Sequence, residues 1–460
     1  MSRFKLSFLS LGLAILASSL LAVPAFADSQ VRIVRLSQVD GGIQIDRNTG
    51  QGYEKAFLNL PITEGTKVKT GAEGRAEIEF EDGSTLRVTP DTVVEFPQLS
   101  LRDSGARVST VNVGQGTAYV NFTASKNDEF TLHFGREKLG LRKASHLRIE
   151  VGDTDATVAV FSGEAQVEGP SGTVEVGKKQ TATFDFANKD QYTVAKNLEE
   201  DPFDQWDKEQ DKYHQRYSAS NSYSPHSYGV SDLSYYGNFM NVPGYGQCWQ
   251  PYFIGAGWDP FMNGAWYWYP GFGYTWVSAY PWGWMPYRYG SWAFLPSYGW
   301  VWQPGTSWVA WRTIPPVTGS PQRFTAPQPP ASPGRTVAVN RGPMPVNTSR
   351  SLNRMIIRND SAGLGIPRGA VRDLGKVSQK VEQRGFATQS LRTTPMQTGV
   401  SAARPTDTWS RTRGAGAPQR GSSTRTMSAP THSAPAARSA PAPAPRSAPT
   451  PAPAPSAPHR

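Results

Sequence analysis

The chain is nearly without cysteine: among its 460 residues Cys248 is the only one. A lone thiol cannot close an intramolecular disulfide or build a zinc cluster, so neither device holds this protein together. Histidine is also scarce, and His133, His146, His214, His226, His432 and His459 show no ligand spacing of the H-x-x-x-H kind. Phosphate loops are missing, because Gly114-Gln115-Gly116 and Gly271-Phe272-Gly273 lack the following helix and the Gly-Lys-Ser/Thr signature. Asp153 and Asp155 come after Gly152 without the further oxygen ligands of a calcium loop. With no visible pairing of nucleophile and base, the sequence gives no catalytic residue, no metal ligand and no cofactor site, and the expectation is a non-enzymatic protein. Beyond Val23 no apolar run approaches the length of a membrane-spanning helix.

What is present at the start is an export signal. Arg3 and Lys5 precede an apolar run from Leu6 to Val23, and Ala25-Phe26-Ala27 supplies the small-x-small pattern of a cleavage site. A signal peptide over 1–27 is expected, with an uncleaved anchor as the alternative. Charge is divided along the chain. Twenty Lys or Arg face four acidic residues from Thr318 to Arg460, about +16, against +10 for the whole chain, which leaves about −6 for the first 317 residues.

Between Gly237 and Trp311 the chain repeats itself and holds twelve of its 14 tryptophans. Gly237-Asn238-Phe239, Gly264-Ala265-Trp266 and Gly290-Ser291-Trp292 open the copies. Each is followed by Pro-small-aromatic-Gly, at Pro243–Gly246, Pro270–Gly273 and Pro296–Gly299, and then by Trp249, Trp276 or Trp302. Proline and glycine set a turn between two extended runs, so each copy reads as a hairpin and the set as stacked units. Cys248 takes the place of Thr275 and Val301, as a small side chain packed on a strand would. Most of the rings are expected to be core. Trp258, Trp284 and Trp311, which lie between copies or at their end, are the candidates for exposed, ligand-stacking rings.

From Asp28 to Asn197 short alternating runs recur every eight to twelve residues or so, punctuated by Gly or Asp. Ala76–Phe80 and Thr85–Val88 flank Glu81-Asp82-Gly83-Ser84 and predict a hairpin whose Asp-Gly pair tolerates positive φ. Val111–Phe122, Leu147–Val151, Thr157–Phe161, Ala165–Glu168, Thr173–Val176 and Thr181–Phe184 continue the pattern. Asp201-Pro202 predicts the start of a helix, with Phe203, Trp206, Tyr213 and Tyr217 near one face. After Val317 the Pro, Ala, Ser and Arg content predicts disorder, relieved by one short helical stretch from Val371 to Val381.

The run Gly71-Ala72-Glu73-Gly74-Arg75-Ala76-Glu77-Ile78-Glu79-Phe80-Glu81-Asp82-Gly83-Ser84, with Val113–Val120, Val158–Val167 and Val174–Gln180 in order behind it, resembles the periplasmic FecR-like domain. The aromatic stretch resembles an uncharacterised repeat family found behind such domains in bacterial envelope proteins. The expected fold is therefore mainly β. It comprises a FecR-like β-sandwich or β-roll over 28–197, a short helical connector over 199–218, a small aromatic β-hairpin repeat module over 228–315 and a long disordered basic Pro/Ala-rich tail over 316–460. The resemblance implies residence in the periplasm or on the outer surface of a Gram-negative-type bacterium. The expected partner is an envelope glycan or envelope protein rather than nucleic acid, with the tail in peripheral contact with anionic envelope surfaces. The alternative is a FecR-type signalling component docking to an outer- or inner-membrane partner. Because only five residues precede the apolar run, it would lack a sigma-factor-binding segment of its own.

Overall fold

The computed structural model describes residues 32–124, 127–218, 226–334, 336–340 and 354–390, all within one compact unit. The expected signal peptide, His432, His459 and the basic run from 391 onward lie outside the described residues. No helix among the described residues is long and apolar enough to cross a membrane.

Two sheets share the strand Arg107–Phe122. Its first half pairs in parallel with Glu129–Phe134, and its second half pairs antiparallel with Ser145–Val151. The strand changes sheet at Gly116 (φ +83°), where an added Cβ would lie 2.4 Å from Thr92 Oγ1 and 2.6 Å from Thr92 Cα. Only glycine satisfies that backbone and that closeness. Alternate residues of the two sheets, among them Leu36, Ile78, Val120, Ile149, Val68, Val111, Leu132 and Val167, form one buried core. The hairpin Arg75–Glu79/Thr85–Val88 has the expected strands, but its loop differs. Phe80 N–H donates to the Ser84 carbonyl and only Gly83 is left-handed (φ +86°), so the turn is the longer three-residue kind with a single positive φ.

The connector helix runs Asp204–Tyr217. It begins after a reciprocal cap in which the Asp201 carboxylate accepts from Phe203 N–H (2.7 Å) and the Asp204 carboxylate from Asp201 N–H (3.0 Å). Trp206 and Tyr213 face inward.

The repeats are three hairpins: Gly237–Val242/Gly246–Pro251, Asn263–Tyr269/Gly273–Ser278 and Tyr289–Leu295/Gly299–Trp308. The repeated signature has a structural meaning. Phe239 faces Trp249, Trp266 faces Trp276 and Trp292 faces Trp302, directly across each hairpin. The opening glycine of each copy lies under that tryptophan. A Cβ would come within 2.4 Å of Trp249 Cζ2 at Gly237, within 2.4 Å of Trp276 Cζ2 at Gly264 and within 2.8 Å of Trp302 Nε1 at Gly290. The ring covers the bare backbone of the partner strand, which is why the motif begins with glycine. Cys248, Thr275 and Val301 are all buried.

The hairpins do not stack in sequence order. The first and third join edge to edge through Trp249 and Trp302, while the second pairs with Val337–Asn340. Val317–Thr318 adds to the third hairpin, and Arg354–Arg358 pairs with Phe386–Ser390. The expectation of disorder across 316–460 is thus overturned for the described part of that range. A helix spans Leu374–Arg384, capped by the Asp373 side chain, and Met355, Ile357, Ile366, Leu374, Val377 and Val381 are buried in the aromatic core. The polar average of the tail conceals these few apolar residues. They need no core of their own because the tryptophan module presents one ready formed.

Gly264→Ala will destabilise the protein by about 1–3 kcal/mol, since the added methyl meets Trp276 and the Val277 carbonyl oxygen in a packed core. Urea unfolding followed by tryptophan fluorescence checks this.

Candidate functional site

The three tryptophans expected to be exposed are not. Trp258 and Trp284 are fully buried, and Trp311 is half-buried. Trp258 donates its indole N–H to Tyr280 Oη (2.9 Å), Trp284 packs edge-on against Tyr228, and Trp311 stacks on Phe272 with centroids 5.2 Å apart. With so few aliphatic side chains in the module, even the rings between copies are required as core, and neither Trp258 nor Trp284 offers a ring face to a ligand.

Charge gathers instead beneath two helices. The alternation of Glu77 and Glu79 with Ala76 and Ile78 reads as a strand with one solvated face, yet all four side chains are buried. The acidic face lies beneath the connector helix and the helix Val230–Tyr236. Arginines stand directly across the ladder, Arg87 opposite Glu77 and Arg35 opposite Glu79. Arg87 binds Glu77 (2.8 Å), Asp207 (2.6 Å) and Asp211 (2.7 Å). Arg35 binds Glu79 (3.2 Å) and Asp232 (2.7 Å). The third cation comes from far along the chain: Arg368 reaches Glu77 (2.6 Å), Asp232 (3.1 Å) and the Ser37 carbonyl (2.9 Å), with its guanidinium 5.0 Å from the centre of the Tyr213 ring. His214 closes the web against Glu77 (3.0 Å) and Ser231 (3.0 Å).

Burial alone would raise the Glu77 carboxyl, but His214, Arg368 and Arg87 hold it well below the usual carboxylate range. Asp232 is likewise lowered despite burial, by Arg368 and Arg35. Burial would lower His146; its hydrogen bond to Asp207 (2.7 Å) and the charges of Asp207 and Asp211 outweigh this and raise it. His146, Asp207 and Asp211 bring one ligand atom each within 4.8 Å of one another, a grouping that suits a divalent cation. Arg87 already lies between the two aspartates and supplies the positive charge there. Acidic residues distant in sequence do converge here, and Glu77, Glu79, Asp207, Asp211 and Asp232 are each engaged in an intramolecular ion pair.

Another buried cation has no carboxylate. Arg288 donates to Thr275 Oγ1 (2.7 Å) and lies 5.1 Å from the Trp284 ring centre, and burial pushes its pKa down to about 10.

One open groove of about 1010 Å³ lies on the FecR-like domain, lined by residues that include Glu64, Gln98, Ser100, Thr110, Asn112 and His133. Sequence reasoning passed over it, because the strands Val93–Leu101 and Glu129–Phe134 carry mixed polar residues with no motif spacing.

Residues 66–166 match the family model described as FecR protein, and residues 230–321 match a family of unknown function, DUF6600. Together these are the expected FecR-like domain followed by an uncharacterised repeat family. No curated protein matches the chain. Among solved structures the chain is similar to two crystal structures, at 2.50 and 1.65 Å resolution, of a candidate anti-sigma factor from Parabacteroides distasonis. Each is 14% identical with a TM-score of 0.26, and the match covers 28% of this chain and 59% of that one. The chain thus spans less than two thirds of the length of these relatives.

Arg87→Met removes the cation shared by Glu77, Asp207 and Asp211 inside the fold and will lower stability by about 3–5 kcal/mol, whereas Arg288→Met, which removes a charge without a counterion, will be neutral or stabilising. Denaturant titration of both variants checks the contrast. The raised pKa of His146 contributes stability that is complete below its unfolded value of about 6.5 and is lost as pH rises through the higher folded value. Between pH of about 6 and 8 the wild type will lose stability that His146→Gln does not lose, a difference read from melting temperatures across that window.

Proposed function

We propose that this is an exported envelope protein that works by contact, binding or scaffolding a glycan or protein partner through the face of its FecR-like domain, with the aromatic module serving as a brace. The observation that carries this reading is the allocation of surface. The tryptophans of the module and the ionised groups of the junction are spent on internal packing, while the FecR-like domain keeps one broad open groove. Recognition sites are characteristically concave and preformed on a rigid scaffold. The leader, the FecR match and the envelope setting of that family support export to the periplasm or outer surface.

A second reading, a signalling component that hands information to a membrane partner, is favoured by the same FecR match. The two readings share a contact surface and differ in what it meets. A photo-crosslinking residue placed at Thr110 in the groove should give adducts in intact cells, and one placed at Tyr245 on a hairpin tip should not. Adducts confined to Tyr245, or recovery of the mature chain from the cytosol, would overturn the proposal.

A further inference from the structure

The groove has a chemical signature of its own. It lies across three neighbouring strands, Val93–Leu101, Arg107–Phe122 and Glu129–Phe134, whose registers set Gln98 beside Thr110 in one rung and Asn112 beside His133 in the next. Residues in one rung share a face of the sheet. A register shift between Glu95 and Gln98 marks an irregularity in Val93–Leu101, of the kind bulges make beside binding sites.

The polar groups of the lining form a graded set. Thr110 Oγ1 donates to Gln98 Oε1 (3.3 Å), and Gln98 Nε2 donates to Ser100 Oγ (3.1 Å). The Asn112 amide and the His133 ring are bonded to no other side chain or backbone group among the described residues, although both line the groove. Burial, and then the Lys138 ammonium, hold His133 below its ordinary pKa, so at neutral pH the ring offers one donor and one acceptor. Glu64 is the only acidic residue of the lining, and one of its oxygens already accepts from Leu99 N–H (3.1 Å); no Lys or Arg lines the groove.

These facts select among ligands. A phosphate or carboxylate polymer would find no cation among the lining residues and only the exposed Lys138 on the next strand, opposite His133, and a cationic peptide would find one carboxylate already partly engaged. Amides, hydroxyls and a neutral imidazole each present both donor and acceptor character, which matches a ligand whose own groups are hydroxyls and amides. The groove is open rather than closed over, and suits the interior of a chain. We infer that the Gln98–Thr110–Asn112–His133 face of the FecR-like domain binds an uncharged saccharide chain. This rests on the contact reading above and names the ligand class of that same groove.

Full-length protein titrated with cellohexaose and with chitohexaose, two neutral oligosaccharides, provides the test. Saturable binding of at least one is expected, insensitive to salt up to about 0.5 M because no ion pair is involved. Asn112→Leu should weaken it about tenfold, and so should Gln98→Ala, an exposed position whose substitution leaves the fold intact. No saturable binding of either sugar, or equal binding by both variants, would overturn the inference. Binding that disappears with salt would also overturn it. The crosslink at Thr110 separates the two levels: protein adducts there without saccharide binding refute the ligand class and leave the contact reading standing, whereas absence of both refutes both.

Discussion

Everything in this structure depends on the burial of Glu77. Its carboxylate receives Arg87 from the neighbouring strand, Arg368 from nearly three hundred residues further on and His214 from the connector helix. A lone carboxylate in that position would be expelled or protonated, because an unpaired buried charge is far too unfavourable. Its ionised state therefore requires that the sheet, the connector helix and the returning C-terminal segment all be in place. The same logic holds at Asp232, which shares Arg368 and ties in Arg35 and Tyr213. A buried ionic junction of this kind contributes little net stability relative to an apolar one, but it penalises every arrangement in which one partner is missing.

The aromatic module is attached at a second place by hydrogen bonds and apolar contact. Tyr269 of the second hairpin donates to the Pro61 carbonyl (2.7 Å), and the Asn59 amide donates to the carbonyls of Ser278 and Tyr280. Ala265, Tyr267, Tyr269 and Val277 belong to the core of the FecR-like domain. What resembles two domains joined by a linker is one continuous packed body. That continuity explains why rings between the copies, such as Trp258 and Trp284, could not be spared for a ligand.

Much of this was legible in the sequence. The strands of the hairpin around Asp82-Gly83, the later runs up to Phe184 and the three aromatic hairpins all stand where alternation and turn residues place them, because each carries its own local signal. Three features were not legible, each for a physical reason. Alternation in Arg75–Glu79 distinguishes two faces but cannot tell water from a helix covering the second; only the arginines across the ladder at Arg35 and Arg87 hinted at it. The order of residues 354–390 depends on a surface supplied from elsewhere, which composition does not report. Exposure of a tryptophan is set by what packs on it, and Trp284 is covered by Tyr228 and Arg288, neither of which a repeat pattern identifies.

The central claim is that the FecR-like domain, the aromatic module and the returning segment form one cooperative body locked at the ionic junction. Equilibrium unfolding in urea, followed at once by tryptophan fluorescence for the module and far-ultraviolet circular dichroism for the β-sandwich, tests it most directly. The account predicts superimposable transitions in the wild type, moved together to lower denaturant by Arg368→Met. Two wild-type transitions with well-separated midpoints, only one of which responds to Arg368→Met, would contradict it.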